Sequence, residues 1–381
     1  MVESNTNIKK NEAIERKFEI PNFTIKELRD AVPKHCFERD TLRSMYFVAH
    51  DFTLISILFY LATFINTFQW LPVRMVMWVA YWICQGVVCT GVWVLAHECG
   101  HGSFSSNKNV NNIMGLIMHS FLLVPYHSWR ISHSQHHKNT GSMEKEVVFI
   151  PLTRKQSGLP SKSEDTEGDG PHSIFEESPI LIMLDIVKVM LLGWPAYILV
   201  NATGRAYPEK WTSHFNPFSL QYTKNQFWDV VLSVVGVSVT ISFLVYFSNL
   251  YGSATVINYY VIPYLFVNFW LVLITYLQHT DPKLPHYREG LWNFQRGALL
   301  AVDRSYGILN YFHHNIADTH VVHHLFSTMP HYHAKEATEH IKKHLGKHYI
   351  SDNTPIARAL WRSWIKCRFV EDEGDIVFFK Y

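Results

Sequence analysis

Hydrophobic and polar positions are sharply segregated along this chain. Phe52–Val73, Met75–His97 and the whole of Val230–Thr280 contain no Asp, Glu, Lys or Arg. A membrane-crossing helix takes about 20 consecutive apolar residues. Four spans are therefore predicted, at Phe52–Trp70, Met75–Ala96, Val230–Phe247 and Val256–Leu277. Buried helices of a large soluble protein are the alternative, but uncharged runs of this length favour spans. Two other apolar stretches fit less well. Asn112–Val124 is too short to cross and suits an interfacial or re-entrant helix. Ile180–Val200 is long enough but carries Asp185, Lys188 and Pro195. A charge at the centre of a membrane helix costs about 2.5–3.5 kcal/mol, so this segment is expected to lie flat on the membrane.

The intervening segments are polar. Residues 1–50 form an N-terminal segment on the same side as the later polar regions, with a disordered start. Within it, Thr24 and Glu27 have capping-box spacing, which predicts a short helix ending before Pro33. Residues 154–179 are rich in Ser, Gly, Pro and acid and read as a flexible loop. After Leu277 the chain is polar again, with a last helix near Ala334–Leu345 stopped by Gly346. The predicted fold is all-α: a polytopic membrane domain over 51–381, with four spans in two hairpins and a helical cap formed largely by 278–381.

Composition agrees with this picture. Hydrophobic residues make up 48% of the 381 positions and charged residues 17%, against about 25% in soluble domains. A net charge of +2 provides no field for nucleic acid. The five cysteines are scattered without a CxxC pair, so neither a disulfide framework nor a zinc ribbon is expected. No cleavable signal peptide is evident, and the first span would serve as the insertion signal. The aromatic stretch Phe378–Tyr381 is a candidate for aiding retention.

Histidine carries the chemistry. His97 and His101 stand four apart; His133, His136 and His137, and again His320, His323 and His324, stand at i, i+3, i+4. On a helix each group projects from one face, making a comb of nitrogen ligands. Eight imidazoles exceed what one ion takes, since a catalytic zinc uses three protein ligands and a water. Two ions with open positions use them better, and imidazole suits zinc, copper, iron and nickel alike. If the combs meet, an even number of crossings separates His137 from the end of the last span, which agrees with a flat Ile180–Val200. Lys and Arg concentrate on the side of the combs, making that side cytosolic. Two other classes compete. His97-Glu-Cys-Gly-His101 satisfies HExxH, the zinc-protease signature with Glu98 as base, but leaves the other combs unexplained. A metal transporter with histidine-rich loops would be expected to place polar ligands inside its spans, whereas these sit at or beyond the ends.

The text around the combs resembles the membrane fatty acid desaturases. It is similar to the microsomal Δ12 oleate desaturases over roughly residues 20–380, the fungal members above all. The resemblance lies in Ala96-His-Glu-Cys-Gly-His-Gly-Ser-Phe104, Leu122-Leu-Val-Pro-Tyr-His-Ser-Trp-Arg-Ile-Ser-His133, Gln278-His-Thr-Asp-Pro-Lys-Leu-Pro-His-Tyr287 and Asp318-Thr-His-Val-Val-His-His-Leu-Phe-Ser-Thr-Met-Pro-His-Tyr332. It implies two nonhaem irons, dioxygen as co-substrate, a fatty acyl substrate such as oleoyl, and an endoplasmic reticulum membrane. It also implies electrons from a separate cytochrome b5 and its NADH-dependent reductase, since no His-Pro-Gly-Gly haem motif is present. By the same analogy His279 joins the eight comb histidines as a ligand, with His314 a further candidate. Glu98 and Asp318 would orient ligating rings from behind. An ω3 (Δ15) or bifunctional desaturase and an oleate 12-hydroxylase share these boxes and stay open. His119 and His127 fall in matching text but not at ligand spacing, His286, His331 and His333 lie in the polar region near the boxes, and His340, His344 and His348 lie on or beyond the last helix; these are expected to be structural or solvated.

Overall fold

The computed structural model of the protein describes residues 18–160 and 178–381. The start of the N-terminal segment and residues 161–177 of the expected flexible loop lie outside the described residues. The first helix, α1 (Ile25–Asp30), opens on the capping box: the Glu27 N–H donates to Thr24 Oγ1 at 3.2 Å and the Thr24 N–H to Glu27 Oε2 at 2.7 Å. Helix α2 (Thr41–Ala62) is capped by Asp40, whose Oδ1 accepts from the N–H groups of Leu42 and Arg43. It thus starts eleven residues before the apolar run, because the cap decides where a helix begins and hydropathy does not. Helix α3 (Leu71–His101) carries the second apolar run unbroken into the first histidine pair. Helices α4 (Lys108–Phe121) and α5 (Tyr126–Asn139) follow, and α5 bears the second comb.

Beyond the flexible loop come α6 (Pro179–Val200), α7 (Phe227–Tyr251) and α8 (Ile262–His279), the last two joined by one short turn of helix and a π-turn at Ile257–Val261. The third comb lies on α9 (His320–Leu325), followed by α10 (His331–Leu345) and α11 (Ile356–Lys366). The all-α expectation needs one correction. Strands β1 (Pro285–Tyr287) and β2 (Ile376–Phe378) form an antiparallel ribbon, with His286 opposite Val377. Three residues per strand are too few for alternation to register in the sequence.

Five helical segments are long and apolar enough to cross a membrane: Thr41–Thr67, Leu71–His101, Pro179–Val200, Lys224–Tyr251 and Ser253–His279. Their outer faces expose large apolar side chains, among them Leu232, Val235, Val239 and Phe243 on α7. Such a surface has no stable place in water, and the architecture is that of a membrane protein. The two turns between paired helices meet at the end remote from the histidines. There Tyr81 Oη donates to the Tyr259 carbonyl and Tyr259 Oη to the Ala62 carbonyl, each at 3.2 Å. Trp82 Nε1 donates to the Asn258 carbonyl at 2.9 Å. Aromatic residues with one polar atom favour membrane–water interfaces.

Helix α6 packs into this arrangement through Ile186, Met190, Trp194, Tyr197 and Ile198. Asn268 Nδ2 of α8 donates to the Leu191 carbonyl at 3.4 Å, and the Trp194 ring stands edge-on to Trp93. Its two charges neutralise each other outside this contact: Lys188 Nζ lies 2.5 Å from Asp185 Oδ1, both partly exposed. Their cost in an apolar setting is therefore lower than two isolated charges imply. After α6 the chain returns to the histidine layer, where His214 Nε2 hydrogen-bonds Ser132 Oγ of α5 at 2.9 Å.

Candidate metal centre

The nine expected ligands converge where α3, α5, α8 and α9 end together. Each helix contributes what its spacing permits: His97 and His101 from the last turns of α3, His133, His136 and His137 from α5, His279 as the last residue of α8, and His320, His323 and His324 from one and a half turns of α9. Seven are buried, and His101 and His133 are half-buried. They divide into two groups. In the first, ligand atoms of His97, His101, His133, His137 and His323 all lie within 4.8 Å of one another; in the second, so do those of His136, His279 and His324. His320 belongs beside the second group, with its Nε2 3.1 Å from His279 Nε2. The groups touch through the stacked rings of His137 and His324, whose centroids are 4.1 Å apart.

The nitrogen contacts inside the first group are instructive. His101 Nε2 lies 3.2 Å from His97 Nε2 and 3.0 Å from His133 Nε2, and His133 Nε2 lies 3.1 Å from His137 Nε2. A ring nitrogen carries either one N–H or one lone pair, so it cannot make proper hydrogen bonds to two others at once. A shared cation satisfies them all. Two nitrogens bound at right angles to an ion, each about 2.1 Å from it, lie about 3 Å apart, which is the spacing found. His323 Nε2 and His324 Nε2 are buried with no protein partner. Burial, reinforced by neighbouring imidazoles, holds the pKa of His133, His137, His320, His323 and His324 well below the usual histidine value. These rings are neutral, the form that binds metal. The donor set thus fits two transition-metal ions.

Three expected residues are placed differently. His314 joins neither group: its Nε2 pairs with Asp51 Oδ2 at 2.8 Å. Glu98 reaches no ligating ring at hydrogen-bond distance, with His97 Nδ1 at 4.0 Å, and instead accepts from Ser103 Oγ at 2.8 Å and the His331 N–H at 2.9 Å. Asp318 contacts no ligating ring either, and its Oδ1 is buried without a partner. The orienting carboxylate is one that sequence reasoning missed. Glu146, 1% exposed, holds His136 Nδ1 at 3.0 and 3.1 Å and is itself fixed by the N–H groups of Val147 and Val148. Thr140 Oγ1 serves His324 Nδ1 in the same way at 3.3 Å.

Two buried networks hold the supporting backbone. Arg304, fully buried, donates through Nη2 to Asp281 Oδ2 at 2.6 Å and through Nε to the Leu277 carbonyl at 3.0 Å, and also pairs with Asp352. Arg362 joins both aspartates. This locks the end of α8 just past His279. Asp303 Oδ1 accepts from the Val321 N–H at 2.9 Å, capping the first turn of α9, while Tyr349 Oη donates to Oδ2 at 2.5 Å. A third convergence, of His35, Cys36, His333 and Glu336, lies apart on the surface, where His35 and Glu336 tie the N-terminal segment to α10.

Comparison with known proteins accords with the geometry. The fatty acid desaturase family model matches residues 72–355. The Delta(12) fatty acid desaturases of Mortierella isabellina and Mortierella alpina are each 56% identical over 373 residues, which cover 97% of this chain and 93% of theirs. An omega-6 fatty acid desaturase of Brassica juncea, described as of the endoplasmic reticulum, is 45% identical over 355 residues, 93% of this chain and 89% of its own. With nine converging histidines at the ends of long apolar helices, this chain belongs to the fatty acid desaturase family.

Proposed function

We propose that the protein is a Δ12 fatty acid desaturase that converts oleoyl to linoleoyl chains in the endoplasmic reticulum membrane. The observation that carries this reading is the paired histidine centre, combined with 56% identity to fungal proteins bearing that name over nearly the whole chain. His97, His101, His133, His137 and His323 would hold one iron, and His136, His279, His320 and His324 the other. Bound there, two irons would supply the redox chemistry by which dioxygen, the oxidant, is activated and one hydrogen is removed from each of two adjacent methylenes.

The protein's own part is placement. Four helices deliver rigid rings to one point, Glu146 and Thr140 fix two of them, and burial keeps the rings neutral and restricts water. Electrons are proposed to come from cytochrome b5 and its NADH-dependent reductase at the cytosolic face. The proposed topology has four crossings, α2, α3, α7 and α8, with α6 against the membrane and α4 interfacial, so that the histidines share one side. An apolar substrate would reach the centre from the bilayer. Expression in a host that makes oleate but no linoleate tests the activity by fatty-acid chromatography. New linoleate is expected; a product only when linoleate is supplied would replace the Δ12 reading with an ω3 one.

A further inference from the structure

Resting on the desaturase reading, the chemistry sets a requirement. Each turnover consumes one O₂, two electrons, two substrate hydrogens and two protons, and releases two waters. The substrate hydrogens and electrons have their own routes. The two protons must come from water, yet seven of the nine ligating rings are buried.

A line of polar groups runs from the surface toward the centre and is no part of the ligand set. It begins at Tyr311, 59% exposed, whose Oη lies 3.2 Å from His50 Nε2. His50 Nδ1 lies 2.9 Å from Asp51 Oδ1, and Asp51 Oδ2 lies 2.8 Å from His314 Nε2. Asp51 sits on a membrane helix at 2% exposure. Ionisable groups in such segments are costly and usually functional. His314 adopts φ = 50° and Asn315 φ = 59°, a left-handed conformation that costs non-glycine residues energy and clusters at functional sites. The His314 ring reaches Asp51 and stands 4.8 Å, centroid to centroid, from that of His331. On its inner side lies a cavity of about 10 Å³, lined by Glu98, His314, Thr319, His323 and His331. That is about the room one water needs, and such a water needs two to four polar partners. His331 Nε2, buried and unpartnered, belongs to the same wall, and so does His323 of the metal centre. Opposite, α3 presents Gly91: a Cβ there would come within 2.9 Å of Asp51 Oδ2 and 2.4 Å of the Phe312 carbonyl oxygen. The backbone is bare where the Asp51–His314 pair passes.

We propose that His50, Asp51 and His314 form the route by which protons reach the histidine centre from the aqueous face. His50 takes a proton at Nε2 and releases one from Nδ1 to Asp51. Asp51 passes it to His314 Nε2, and His314 gives up a proton from its other nitrogen to a water in the cavity beside His323. The competing explanation is a structural tie between α2 and the segment before α9. A tie needs one imidazole on the carboxylate. The second one, leading outward to an exposed tyrosine, is what a relay requires.

The test compares wild type, Asp51→Asn, His314→Gln and the more exposed His50→Gln, each as iron-loaded full-length enzyme supplied with reduced cytochrome b5. Four quantities are read: iron per chain, thermal midpoint, linoleate formed per electron pair consumed, and the solvent deuterium isotope effect. General acid–base groups contribute about 10²–10⁴-fold to rate. Asp51→Asn is expected to lose about 10²-fold in linoleate formation with iron content and midpoint retained. Electrons should then drain into hydrogen peroxide, and the isotope effect should rise. Unchanged coupling and isotope effect in Asp51→Asn and His50→Gln would overturn the proposal. Loss of iron or stability in step with activity in both would overturn it too, in favour of the tie. A failure of the desaturase reading is distinguishable, because wild type itself would then make no linoleate.

Discussion

At the scale of single residues, ligands and their supports differ in how visible they are. The eight comb histidines are legible because i, i+3, i+4 spacing is itself a statement about a helix face. His279 has no such spacing; only resemblance to known desaturases singled it out, and its place at the end of α8 brings it to His320. Glu146 left no signal at all, since it reaches His136 from a loop. Glu98, flagged by its place inside HExxH, turned toward Ser103 and α10 instead. Replacing His97, His136 or His323 by Ala should abolish turnover and lower bound iron; normal activity in all three would defeat the ligand assignment. Outer partners of ligating histidines are typically worth about 10–100-fold in metal affinity. Glu146→Gln should therefore weaken iron retention by about that factor under chelator challenge while Glu98→Gln leaves it nearer wild type, and equal retention in both would remove the distinction drawn between them.

At the scale of elements, the apolar runs mark the cores of α2, α3, α7 and α8 but not their limits. Asp40 starts α2 far ahead of its hydrophobic run, and the polar His97-Glu98 pair does not stop α3. Hydropathy reports the surrounding solvent; caps and continuity set where a helix ends. The segments that fasten the cap were equally hidden, because Arg304, Asp281, Asp352 and Arg362 are scattered over some eighty positions and meet only in the fold. Arg304→Ala would leave Asp281 buried with only Arg362 opposite it. Breaking a buried pair costs about 3–5 kcal/mol, so this variant should unfold at a markedly lower temperature in detergent and lose iron with it. An unchanged midpoint would show that the network contributes little.

For the whole molecule, the membrane class was plain from the sequence, while whether α6 crosses or lies flat turned on Asp185 and Lys188, whose i, i+3 spacing already permits the pairing that the fold shows. The proposed topology makes a direct prediction. An N-glycosylation acceptor inserted in the uncharged turn near Gly252 should be modified, and one inserted between Arg205 and His214 should not; the reverse result would exchange the two faces. The aromatic end of the chain also has a different standing from a retention signal, since Phe378 and Phe379 are buried and the Phe379 ring packs edge-on to His286. The pairing of β2 with β1 has a consequence for the order of events during synthesis. Residues 285–287 cannot find their partner until 376–378 have been made and have cleared the ribosome. By then every ligating histidine has emerged and the membrane helices have had time to insert. The cap is therefore the last part of the molecule to close, and a chain released just short of β2 would carry all nine imidazoles around an unfinished chamber.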